Sequence, residues 1–134
     1  MLQRALCIVV ASVAIVAPAS AHHSMAFVDH TKMIALEGVV TEVKWRNPHM
    51  FIEVAVPTED GKTETWGFEG SGTASTVASG ISREILKVGN KVKIIAHRSK
   101  DPSKHLGLFM GMEVNGKYYA RGGGTNIRGA DEGK

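Results

Sequence analysis

Five runs of alternating apolar and polar residues, a Ser/Thr/Ala-rich stretch between the third and fourth, and turn dipeptides at the joints predict an all-β fold. That element order is the order of a small five-stranded OB-like Greek-key barrel with a short helical insert between strands three and four. Met33 to Val56 reads as two long strands, because Val39, Val40, Val43, Phe51, Ile52, Val54 and Val56 mix β-branched and aromatic residues with polar ones. Asn47-Pro48 separates them. Alternation puts Met50, Ile52 and Val54 on the core face and His49, Phe51 and Glu53 on the other. Glu59-Asp60-Gly61-Lys62 is a hairpin turn, and Thr63 to Glu69 follows as a third strand with Trp66 and Phe68 on one face. Ser71 to Ser79 is the helical region, stopped by Gly80, with a further short turn of helix over Ser82 to Leu86. Lys91 to Arg98 is the fourth strand. Leu106 to Val114 is the fifth, with Met110 and Met112 expected on one core face beside Leu106, Leu108 and Val114, and Asn115-Gly116 turns it back into Lys117 to Ala120. An immunoglobulin-like sandwich would need more strands and no helix in mid-chain, and no internal repeat is visible.

Ahead of the barrel, residues 1–21 read as a signal peptide: Arg4 is the only charge, Ala5 to Val16 is apolar, Pro18 breaks the run, and Ala19-Ser20-Ala21 is a small-x-small cleavage signature. Cleavage there makes His22 the first mature residue; cleavage after Ala19 is the alternative. The apolar run is shorter than the ~20 residues a bilayer needs, so the expectation is a soluble periplasmic or secreted protein with no membrane anchor after cleavage. Cys7, the one cysteine, leaves with the leader, so neither disulfide nor thiolate chemistry is expected in the mature chain. Removing 21 of 134 residues leaves 113, enough for one domain without a covalent staple. Residues 22–32 form a polar N-terminal segment, 33–120 the barrel, and 121–134 a Gly-rich tail with too few apolar side chains to pack, expected to be disordered. Formal charge falls from +3 to +2 with the loss of Arg4, and the basic residues are interspersed with acids, which argues against a nucleic-acid partner.

With the elements placed, several motifs stand out in order: His22-His23-Ser24, Gly38-Val39-Val40-Thr41-Glu42-Val43 running into Trp45-Arg46-Asn47-Pro48-His49, Trp66-Gly67-Phe68-Glu69-Gly70, and His97-Arg98-Ser99-Lys100-Asp101. Together, over about Ala21 to Val114, they resemble a family of small exported bacterial proteins, the domain of unknown function 6152. The resemblance implies an OB-like barrel and a periplasmic home, and it implies no activity, ligand or catalytic residue. Thr73-Ala74-Ser75-Thr76 is more polar than the family pattern, and the Gly-rich tail also departs from it; both leave the barrel intact.

The chemistry-bearing residues point first to copper. A free N-terminal His22 offers its α-amine and ring Nδ1 to one ion, and a further imidazole from His23, His30 or His49 completes a set suited to Cu(II). Met25, Met33 and Met50 would add thioethers if the ion were Cu(I). Cleavage after Ala19 leaves Ser20-Ala21-His22, which also chelates Cu(II). Against this stands the plain alternative that the histidines mark a polar, unstructured terminus. Zinc lacks a starting pair at His-x3-His or Cys-x2-Cys spacing.

The rival expectation is a module without metal that binds a small molecule, a glycan or a periplasmic protein partner on a barrel face built from Trp45, Asn47, His49, Trp66 and Glu69. Each has an ordinary structural account: Asn47 and Pro48 setting a turn, His49 bonding locally, the aromatics as core, and Glu69 in a rim salt bridge with Arg46, Arg98 or Lys100. The charged Lys100–Lys104 loop reads equally as ligand contact or solvated turn. No nucleophile arrangement or phosphate loop is present, so hydrolase and transferase readings find no support.

Overall fold

A computed structural model describes residues 25–123. The expected signal peptide, the copper candidates His22 and His23, and tail residues 124–134 lie outside the described residues. The elements run β1 (Val28–Lys44), β2 (Phe51–Pro57), β3 (Thr63–Glu69), α1 (Thr73–Ala78), β4 (Lys91–Ser99), β5 (Leu106–Val114) and β6 (Lys117–Ala120), then a 3-10 turn at Arg121–Gly123.

The strands hydrogen-bond in the order β3-β2-β1-β4-β5-β6, and a parallel pairing of β3 with β5 closes the first five into a ring. Closure rests on Gly67 opposite Leu106, Phe68 opposite Gly107 and Glu69 opposite Leu108. The fold is the all-β, OB-like barrel with α1 between the third and fourth strands. β1 starts at Val28, five positions ahead of the expected Met33, and serves two partners: its first part pairs with β4 and its last with β2, with Val39 in both ladders. A residue with a side chain does not fit beside that switch. A Cβ on Gly38 would stand 2.3 Å from Ala55 O and 2.7 Å from Val54 Cγ1.

Val40, Met50, Ile52, Val54, Trp66, Phe68, Val92, Ile94, Ala96, Phe109, Met112 and Val114 fill the barrel. Thr76 of α1, together with Ile81 and Leu86, is also buried. The helix is more polar than a plug usually is because only one of its turns' residues faces inward; Thr76 Oγ1 donates to Gly72 O at 3.1 Å and lies 3.1 Å from Met50 Sδ. Gly80, at φ +84°, ends the helix as expected, and Ser82–Leu86 makes a single turn closed by Leu86 N–H on Ser82 O, as expected.

Two further expectations change. Met110 does not share a core face with Met112: Ile95 pairs with Gly111 but Ala96 with Phe109, so Met110 is the extra residue of a bulge. A bulge reverses side-chain parity, which brings both Phe109 and Met112 inside and leaves Leu108 outside the core cluster. Arg121–Gly123, the start of the expected tail, is tied down by Arg121 Nε donating to Ser71 Oγ at 2.8 Å and Gly122 N–H to Ser79 Oγ at 3.0 Å.

Gly38→Ala is expected to lower the unfolding free energy by about 1–3 kcal/mol, the usual cost of overpacking, because the obstructing atom at the β1 switch is backbone. Urea denaturation followed by Trp fluorescence measures it; an unchanged midpoint would show that β1 and β2 part freely.

Candidate functional site

The β1–β2 loop is sewn to the start of α1. The Asn47–Pro48 peptide is cis. Gly72, at the helix N-cap, has no side chain to accept the first helical N–H, and Asn47 Oδ1 does so from across the loop, accepting from Thr73 N at 2.9 Å. A Cβ on Gly72 would meet Asn47 Oδ1 at 2.8 Å, so the glycine makes room for the cap. Met50 N–H donates to Ser71 O and Gly70 N–H to Met50 O, extending the β2–β3 ladder into the same region. His49, half-buried on the outer face as alternation requires, has Nδ1 3.1 Å from Gly70 O and 3.5 Å from Glu69 Oε1. A carbonyl only accepts, so Nδ1 carries the proton and Nε2 is the basic nitrogen. Glu69 thus neighbours His49 and none of the expected Arg46, Arg98 or Lys100.

The aromatics separate. Trp66 is 5% exposed and belongs to the core cluster, with His105 stacked on it at 4.9 Å, Arg98 over its ring at 5.5 Å, and Nε1–H directed to Glu64 Oε2 at 3.4 Å. Phe68 is fully buried beside it. Trp45 packs partly against the core and carries the Arg83 guanidinium over its ring at 4.9 Å. Surface clefts of about 570, 360 and 670 Å³ are lined by other residues, including Gly38, Ala55 and Lys91 in the first, and contain neither tryptophan.

A second region forms where the described chain begins. Lys100 N–H donates to Phe27 O at 2.9 Å and its Nζ to Ala26 O at 2.7 Å, while Val28 is fully buried opposite Ser99. Next to this clasp, His97 of β4 pairs with Met33 of β1 and Leu108 of β5. The rings of His30 and His97 stand 5.2 Å apart with planes at 68°. His97 Nδ1 is buried without a hydrogen-bond partner. Met25 and Met33 are 43% and 39% exposed, whereas Met50 is sealed in the core and its sulfur is engaged by Thr76. His49 stands elsewhere on the barrel: from His97 the register runs across Leu108 and Glu69 to Phe51, two residues beyond it.

The profile of a family of unknown function, DUF6152, matches residues 9–109. This chain belongs to the DUF6152 family. No curated protein matches it. Among solved structures, the DUF6152 chain is similar to one described as the ZRD-deleted mutant of TiaS in complex with agmatine, at 14% identity and a TM-score of 0.48 over 69% of this chain and 27% of that one. The DUF6152 chain therefore spans about a quarter of the length of that protein.

Of the residues singled out from the sequence of this DUF6152 protein, His49, Asn47 and Glu69 come together at the β1–β2 loop, while Trp66 and Trp45 do not join them on an open face. Sequence reasoning named His97 only within a motif and gave neither it nor His105 a role in a site, because their neighbours come from strands distant in sequence. Among the described residues, no three His, Cys, Asp or Glu side chains converge as a metal site. No helix among them is long and apolar enough to cross a membrane.

Asn47→Ala should cost about 1 kcal/mol of stability, the value of a helix cap, because Thr73 N–H loses its acceptor. Chemical denaturation would read this loss. A cost near zero would mean that solvent replaces the cap.

Proposed function

We propose that this protein is an exported, periplasmic or secreted binding module that takes Cu(II) at a mature amino terminus beginning with His22. The α-amine and Nδ1 of His22 supply a chelate, and an imidazole from the folded domain supplies a further nitrogen, a donor set that suits Cu(II). One observation carries the reading: the chain enters the barrel at Ala26 and Phe27, clasped by Lys100, three residues from His97. Four residues of extended chain reach about 14 Å from Ala26, and His30 and His97 are imidazoles on the two strands, β1 and β4, that pair at this entry point. His23 stands one residue further along the same segment. His49 is the remoter donor, with Nδ1 committed to Gly70 O. The rival reading, a ligand on a face of Trp45 and Trp66, draws less support because Trp66 is core and Trp45 lies under Arg83.

The test is a Cu(II) titration, by calorimetry and EPR, of protein processed to His22 beside the same protein with its α-amine acetylated. Tight binding by the free-amine form and at least tenfold weaker binding after acetylation, about 1.4 kcal/mol or more, are expected. Affinity should also fall as pH is lowered through ~7.7, the ordinary value of an α-amine, because the proton it takes up competes with the metal. Weak binding by both forms would remove copper and direct attention to the surface clefts.

A further inference from the structure

We infer that His30, His97 and Met33 form a Cu(I) site on the outer face of the β1–β4 pair. The inference rests on the copper reading for the identity of the metal and draws on the same folded-domain imidazoles, but it needs neither the α-amine nor the ring of His22.

The site is made by an irregularity in the sheet. Between the pairs Val28–Ser99 and Met33–His97, β1 advances five residues while β4 advances two. The surplus leaves the ladder as a bulge, held in shape by Asp29 Oδ1 accepting from Thr31 N at 3.0 Å and Thr31 Oγ1 at 2.6 Å. The bulge brings His30 to His97, and the ladder resumes with Met33 opposite His97, so the thioether and the imidazole share a face.

The separation suits an ion. With a metal–nitrogen distance of ~2.0 Å and a ring centre about 1.2 Å behind the nitrogen, each centroid sits ~3.2 Å from a bound metal. Centroids 5.2 Å apart then subtend about 110° at the ion, inside the range that two-imidazole coordination spans. Edge-to-face packing alone would also produce a 68° contact, but it leaves His97 Nδ1 buried and unpartnered. A metal ligand role gives that nitrogen an occupation, or gives its ring an ion that repays the lost hydrogen bond.

The donors select the ion. No third His, Cys, Asp or Glu completes the pair among the described residues, and Asp29 is engaged by Thr31 and lies 3.6 Å from Lys32 Nζ. Zn(II), which asks for four such donors, is poorly served. Two imidazoles and a thioether form a soft set of low coordination number, the preference of Cu(I). Met33 is the exposed sulfur in register with His97, and Met50 is unavailable in the core.

The experiment is an anaerobic Cu(I) titration against bathocuproine disulfonate, using exported and processed protein in a His22→Ala/His23→Ala background that removes the terminal imidazoles. One Cu(I) per chain is expected, with at least tenfold weaker binding in His30→Ala, His97→Ala and Met33→Leu, and a copper–sulfur shell in X-ray absorption that Met33→Leu removes. His30 and Met33 are exposed, so those two variants keep the test open if His97→Ala fails to fold, which circular dichroism would reveal. Absence of Cu(I) binding, unchanged affinity in His30→Ala and Met33→Leu, or a parent spectrum without sulfur would overturn the site. Loss of the Cu(II) chelate on acetylation together with unaltered Cu(I) binding in the background variant would separate the two proposals.

Discussion

One strand held in two ladders is the constraint on which the rest of the molecule depends. Val39 faces Ala55 on one side and Lys91 on the other, so β1 joins the β2–β3 hairpin to the β4–β5 hairpin in one sheet. The strand must turn as it changes partners, and Gly38 allows it by letting the Ala55 carbonyl approach to a distance no Cβ would permit. A bulge between Val40 and Glu42 adds twist immediately afterwards. Only with both hairpins so held do β3 and β5 meet, through three parallel residue pairs, and cover edges that would otherwise be open to other chains.

The same geometry sorts polar groups into those used for structure and those left over. Around the β1–β2 loop most are spent, since Asn47 caps α1, Thr76 bonds within the helix beside Met50, and His49 holds Gly70 O, while Glu69 Oε1 is buried without a hydrogen bond. Three aspartates repeat a smaller device, each turned onto its own loop. The hydroxyls of Thr31, Thr58 and Ser103, with nearby backbone N–H groups, hold the carboxyls of Asp29, Asp60 and Asp101 below their ordinary range. Such a lowered carboxyl keeps its bonds above the usual carboxylate range and loses them only as pH falls through the lower value. On the β1–β4 face, His97 also keeps a buried nitrogen with no partner, here next to a second imidazole and an exposed thioether.

Much of the barrel was legible because it is written in local terms. Period-two alternation predicted that Met50, Ile52 and Val54 point inward, and all three are fully buried. Asn115-Gly116 and Asp60-Gly61 marked turns, and Asn115, Gly116 and Gly61 take the positive φ values such turns require. Where a bulge intervenes the same reasoning fails, as at Met110, since an inserted residue reverses the parity of everything beyond it and leaves no mark in composition. The candidate site was less legible still. Asn47 and His49 were found through their motif, but their partners Thr73 and Gly70 belong to other elements, and an aromatic such as Trp66 reads alike whether a barrel interior or a ligand surrounds it.

The sequence by itself determined the class of the fold, the order of its elements and the turns between them, because residues close in the chain set alternation, φ preference and helix stops. Tertiary structure alone decided that His30 meets His97 and that His49 stands apart from both, its neighbouring strand β2 separated from β4 by β1 on one side of the ring and by β5 and β3 on the other. Those relations depend on cross-strand register and on bulges, which are settled by how distant strands pair and not by any stretch of the chain read alone.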